Sequence, residues 1–170
     1  MDSTIHFTFR YSEEDFVRAM RAHFALRLKP KLDIALAVAL ALLGAYFWQV
    51  ENSIWFGVVP IVISAIFMLM LVLAFGVLPR QLFRREPKYR DEYDLTFSPD
   101  EIHFRTQHIN SHLQWSMYSR ALIDSHSFIL YYGVGSFTVI PKRVFESAEQ
   151  KAMFEHLIAI KIPKVFRKDI

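Results

Sequence analysis

Two apolar runs without a single Asp, Glu, Lys or Arg, residues 34–50 and 54–78, are separated only by Glu51, Asn52 and Ser53. Each is close to the roughly 20 residues with which an α-helix crosses about 30 Å of hydrocarbon. A connection this short makes the two helices antiparallel neighbours, so residues 31–50 and 54–78 read as a transmembrane helical hairpin. A buried helix pair in a soluble protein is the alternative, and the length of the second run argues against it. Trp48 and Trp55 flank the joining loop as expected interfacial anchors, because indole rings favour the headgroup region. Gly44, Gly57, Pro60 and Ser64 would allow close helix packing or a bend, a structural role.

Charge sets the orientation. Arg18, Arg21, Arg27, Lys29 and Lys31 precede the hairpin, Arg80, Arg84, Arg85, Lys88 and Arg90 follow it, and the loop has no basic residue. Positive charge stays on the cytoplasmic side, which puts both termini in the cytoplasm. The same ten side chains are expected contacts for anionic membrane lipids, at about 1 kcal/mol each near a charged leaflet. Topology already accounts for this charge, so no nucleic-acid partner is expected. The chain opens with a polar, alternating stretch and not with a basic n-region, so the first span is expected to be retained. The absence of cysteine from its 170 residues excludes disulfides, thiolate metal sites and a cysteine nucleophile.

Residues 1–11 hold a strand, with Thr4, His6, Thr8 and Arg10 alternating with Ile5, Phe7, Phe9 and Tyr11, and it is expected to join a cytoplasmic sheet. Ser12 and Asp15 resemble a capping box. Phe16, Met20, Phe24 and Leu28 then recur at helical spacing, so residues 12–30 read as an amphipathic interfacial helix ended by Pro30. Beyond the hairpin the period changes to two. Tyr93, Leu95 and Phe97 alternate, Ser98-Pro99-Asp100-Glu101 turns, and Ile102 and Phe104 alternate again. Further strands are expected at 109–115, 118–126, 128–132 and 136–140, with Gly133 and Gly135 in a tight turn. Ser147 and Gln150 cap a last helix with Met153, Phe154, Leu157 and Ile158 on its apolar face. The expected fold class is therefore α+β. The transmembrane hairpin is joined to a small antiparallel, barrel-like cytoplasmic domain at residues 91–162, closed by a C-terminal helix and followed by a basic tail at 163–170.

The hairpin, Tyr93-Asp94-Leu95-Thr96-Phe97, Ile102-His103-Phe104, Leu113-Gln114-Trp115, Phe128-Ile129-Leu130-Tyr131-Tyr132 and Ile140-Pro141-Lys142-Arg143-Val144-Phe145 ahead of Ser147-Ala148-Glu149 occur in an order that resembles the YcxB-like family of bacterial membrane proteins. The resemblance covers most of the chain. It implies two spans in a bacterial cytoplasmic membrane and a cytoplasmic domain similar to a pleckstrin-homology barrel. It implies no particular activity and no catalytic residues.

Lys142 and Arg143 are adjacent cations at the end of the last expected strand, suited to a phosphate, a lipid headgroup or an acidic partner. Trp115 and Phe145 read as core anchors. His103, His108, His112 and His126 raise a metal site, but they lie in turn and strand sequence without an HExxH pattern, and a structural or solvent-facing role is expected. No GxSxG elbow, Walker loop or GxGxxG fingerprint occurs, so no catalytic residue, metal or cofactor is assigned. The expected function is that of a non-enzymatic, membrane-anchored interaction or regulatory subunit. Its hairpin would dock to a second copy or a larger membrane assembly, while its cytoplasmic domain binds a protein partner. The alternative is a lipid-headgroup or small-ligand sensor acting through Lys142, Arg143 and the juxtamembrane cations.

Overall fold

The alternation that opens the chain becomes strand β1 (Ile5–Arg10), with Ile5, Phe7 and Phe9 buried and His6, Thr8 and Arg10 exposed. A lone strand leaves its backbone groups unpaired, and β1 satisfies them on β2 (Glu92–Phe97), antiparallel from Ile5 opposite Phe97 to Arg10 opposite Glu92. The computed structural model describes residues 4–51, 54–133 and 136–168, and it divides the chain into two units, Met1–Ala19 with Phe83–Ile170 and Met20–Leu82. Asn52, Ser53 and Gly135, and the side chain of Arg27, lie outside what is described.

In the first unit β3 (Glu101–Arg105) and β4 (Asn110–Gln114) extend the sheet in the order β1-β2-β3-β4. A 3-10 turn at Trp115–Met117 then directs the chain into a second sheet. The turn is anchored by the buried Trp115, whose indole nitrogen donates to the Ser98 carbonyl at 2.9 Å. This corner interrupts what the sequence presents as one meander. The second sheet holds β5 (Tyr118–Ile123), β6 (Ser127–Tyr132) and β7 (Ser136–Pro141) as antiparallel neighbours. β5 stops short of residue 126 because the buried Asp124 carboxylate accepts from the His126 and Ser127 backbone amides, at 2.6 and 2.7 Å, and forms the turn. The fold class is α+β with two four-stranded sheets, and among the described residues no strand pairing joins one sheet to the other.

Helix α5, the last of five α-helices among the described residues, runs over Ala148–Lys161. The Gln150 amide donates to Ser147 Oγ at 3.1 Å, and the Gln150 side chain accepts from the Glu146 amide at 2.8 Å. Its buried face is Phe154, Leu157 and Ile158. The Phe154 ring lies 5.8 Å from Phe7 on β1, 4.8 Å from Phe97 on β2, 5.2 Å from Phe128 on β6 and 5.5 Å from Phe145, so one side chain touches both sheets. Beyond the helix, β8 (Val165–Arg167) adds parallel to β5, placing part of the expected tail in the second sheet.

The boundary between the units falls within α1 (Glu13–Arg27) and near the middle of α4 (Leu78–Arg85). Ser12 and Asp15 cap α1 reciprocally, at 3.0 and 3.1 Å. The apolar stripe expected to face the membrane surface is in part spent on protein: Phe16 is buried, with its ring 5.7 Å from Phe83 and 4.4 Å from Tyr89.

In the second unit α2 (Pro30–Glu51) has Pro30 at its first position, where the missing N–H has no helical partner to lose. It packs on α3 (Ile54–Val72) through Ala37, Gly44, Gly57 and Ser64, all buried. Ser64 Oγ donates to the Ala37 carbonyl at 2.6 Å. The helices approach so closely that a Cβ on Gly44 would stand 2.6 Å from the Gly57 carbonyl oxygen. Their outer faces carry the large side chains, such as Leu42, Trp55 and Met70, all more than 60% exposed.

The sequence reading ended the second run at residue 78, but helical backbone continues to Arg85 through a π-helical turn at Leu73–Val77. Pro79 supplies no N–H to the carbonyl four residues back, that of Phe75. Arg21 Nε donates to that carbonyl at 2.8 Å, filling the place that Pro79 leaves.

Candidate functional site

Lys142 and Arg143 sit on the 3-10 turn Lys142–Val144 after β7, and each has its own work. Arg143 Nη2 and Nε lie 2.6 and 3.0 Å from Asp15 Oδ2, and Nη2 also donates to the Arg10 carbonyl at 2.8 Å. The guanidinium thereby ties the β7 exit to the end of β1 and the start of α1. Burial of Asp15 works to raise its pKa, but the bonds from Arg143 and Ser12 outweigh it and hold the carboxyl below the usual range. The Lys142 ammonium lies 5.2 Å from the centre of the Phe128 ring. The two adjacent cations thus have different partners within the fold.

Several of the cations that flank the two apolar helices have partners of their own as well. Arg21 serves the Phe75 carbonyl, Arg18 pairs with Glu14, Arg84 bonds Glu13 through two nitrogens at 3.1 and 3.2 Å, and Lys88 lies 3.7 Å from Glu86. Lys31, Arg85 and Arg90 are exposed and make no side-chain ion pair among the described residues; Lys29 and Arg80 are exposed as well. Trp48 and Trp55 are exposed, at 50% and 77%. His103 and His112 stack across β3 and β4 with centroids 4.5 Å apart. His103 bonds the Asn110 side chain at 2.6 Å and His112 lies 3.3 Å from Glu101. His126 is exposed in the β5–β6 turn.

Sequence reasoning missed a cavity of about 460 Å³ in the first unit, lined by β2, β3 and β4 on one side and by β5, β6 and β7 on the other. Its floor is Tyr11, Phe16, Tyr93, Tyr118, Thr138 and Val139, all buried. Phe104, Ser111 and Leu113 form a wall, and His108, Ile109, Met117, Tyr132 and Ser136 are exposed around its opening. Tyr11 and Tyr93 occupy inward positions flanking alternating strands, a signal present in the sequence. That the sheets separate there was not.

The phenols are held individually. The Tyr11 hydroxyl donates to the Val139 carbonyl, and the Tyr93 hydroxyl donates to the Lys88 carbonyl at 2.7 Å. The Tyr118 hydroxyl lies 3.5 Å from Thr138 Oγ1, at the loose limit of a hydrogen bond. Burial pushes the pKa of all three tyrosines up, well above the ordinary phenol value at Tyr11 and Tyr93. Buried in this way, with Asp91 also raising Tyr93, the hydroxyls act as neutral donors and acceptors and not as phenolates.

A family model described as YcxB-like protein matches residues 97–158, from the end of β2 to within α5, in agreement with the resemblance carried by the strand and turn residues. The matched span includes the Lys142-Arg143 turn and most of the cavity wall, and it does not reach the two apolar helices. Comparison with curated proteins and with solved structures found no match.

Proposed function

We propose that this chain is a non-enzymatic recognition module anchored in a bacterial cytoplasmic membrane. In this reading α2 and α3 span the bilayer as a hairpin, both termini lie in the cytoplasm, and the two-sheet domain binds a partner. One observation carries it: the helix pair is apolar outside and small inside. Its two candidate spans, Pro30–Val50 and Ile54–Arg85, each bury only 11% of their most apolar stretch, and within α2 and α3 the buried residues are Ala37, Gly44, Gly57 and Ser64 with Leu71 as the one large side chain among those described. A soluble helix pair buries its large apolar side chains, whereas helices in lipid gain by bringing backbones together at small residues. The exposed outer face is also the surface through which the hairpin would meet a second copy or a larger membrane assembly.

The chain contains no cysteine, so single-cysteine labelling tests the topology directly. Asn52→Cys in the loop is expected to react with an impermeant maleimide added outside intact bacterial cells. Gln107→Cys, between β3 and β4, is expected to react only after lysis. Labelling of Gln107→Cys in intact cells would overturn the orientation. Gentle detergent extraction followed by cross-linking is expected to yield a complex, and a lone monomer in several detergents would overturn the docking role of the hairpin.

A further inference from the structure

The cavity between the two sheets has features that the anchoring reading leaves unused. Its volume of about 460 Å³ lies within the range of pockets that enclose small organic ligands. Its buried floor of Tyr11, Phe16, Tyr93, Tyr118, Thr138 and Val139 carries no charged side chain, and the charged groups of its lining, Asp91 and the exposed Lys88 that lies 3.7 Å from Glu86, are of opposite sign. Apolar side chains meet solvent at its opening, Ile109 and Met117 each at 49% exposure and Tyr132 at 36%. Rings line it on several sides, including Tyr11, Phe16, Phe104 and Tyr132.

One polar feature of the floor is incomplete. The Tyr11 and Tyr93 protons are committed to backbone carbonyls, but among the described residues the Tyr118 and Thr138 hydroxyls have only each other, at 3.5 Å. Two hydroxyls carry two protons, and a bond between them uses one. The other remains for an acceptor inside the cavity.

We propose that the cavity binds an uncharged, largely apolar ring compound whose carbonyl or similar oxygen accepts the spare proton of the Tyr118–Thr138 pair. This rests on reading the two-sheet domain as a recognition module, and it is independent of whether α2 and α3 enter a bilayer. A carboxylate or phosphate of the same size binds more weakly, because it would lose water on a floor without a cation while the Lys88 ammonium in the lining is exposed and 3.7 Å from Glu86. A ligand without an acceptor leaves the hydroxyl proton unmet and binds more weakly.

Free benzophenone, a neutral aromatic ketone that cross-links on irradiation, is a suitable probe. The full chain in lipid discs would be irradiated with it, and labelled peptides from residues 83–170 mapped by mass spectrometry. Saturable labelling is expected to concentrate on peptides carrying Met117, Tyr118 and residues 136–139, while 4-benzoylbenzoate, its carboxylate analogue, labels them weakly. Tyr118→Phe or Thr138→Val alone leaves one hydroxyl with a free proton, so labelling is expected to hold within about twofold. The double variant removes both donors and is expected to lose labelling by roughly three- to tenfold. Ser111→Trp, which fills the cavity from its β4 wall, is expected to abolish it. Uniform labelling across residues 83–170, equal labelling by the carboxylate, or unchanged labelling in either the double variant or Ser111→Trp would overturn the proposal. The cysteine-labelling result for topology stands or falls separately.

Discussion

At the scale of single residues, Arg143 shows how the fold gives a cation legible in the sequence partners that the sequence does not name. Its adjacency to Lys142 is visible in the sequence, but its partner Asp15 and the Arg10 carbonyl lie far away in the chain. Arg143→Ala is expected to cost about 1 kcal/mol in denaturant unfolding, the figure for charge-assisted bonds at a half-exposed site. Asp15 has its folded pKa held below the unfolded value of about 3.9, so its contribution is present above that pH and lost as pH falls through the folded value. Acid titration of stability should therefore be shallower below pH about 4 in Arg143→Ala than in the parent chain. Tyr11, Tyr93 and Tyr118 behave with the opposite sense. Their folded pKa values are raised, so stability is complete below the unfolded value of about 10 and is lost as pH rises beyond it. Phenolate absorbance is expected to appear together with loss of β-structure, and ionisation of these tyrosines in a fully folded chain would contradict their burial.

At the scale of elements, periodicity was a good guide wherever one face of a strand or helix is buried. Residues 4–11 alternate and β1 follows them, while Phe154, Leu157 and Ile158 recur at helical spacing and form the buried face of α5. Phe154→Ala removes the ring that touches both sheets and is expected to cost about 3–5 kcal/mol, read as a lower unfolding midpoint of the two-sheet domain. Three things were hidden because each depends on a distant partner. The corner at Trp115 is fixed by Ser98, the helix past Pro79 by Arg21, and the short β8 by β5. Periodicity carries no such information. The glycines offer an internally controlled test, because a Cβ on Gly44 or Gly57 would meet atoms at 2.6 or 2.7 Å while one on Gly76 meets nothing within 4 Å. Gly44→Ala and Gly57→Ala are each expected to lower the thermal stability of the helix pair in detergent. Gly76→Ala should leave it unchanged or raise it by up to about 1 kcal/mol, the helical preference of alanine over glycine.

At the scale of the whole molecule, the first unit is built from two stretches of chain, 1–19 and 83–170, with residues 20–82 inserted between them. The composition of the insert was legible at once, since apolar runs need no partner to be recognised. The cavity was not, because it arises where two sheets part and no local pattern encodes a gap. The pairing of β1 with β2 has a further consequence. An insert whose two ends are held by neighbouring strands of one sheet must leave and return on the same side of any bilayer it enters, so its number of crossings is fixed by parity as even. Deleting residues 54–72 alone would make that number odd and is expected to leave the two-sheet domain sensitive to limited proteolysis, because β1 and β2 would then be delivered to opposite compartments. For the proposed hairpin the ladder between the first and second strands would thus act as a parity check on insertion, met when both helices enter together or when neither does.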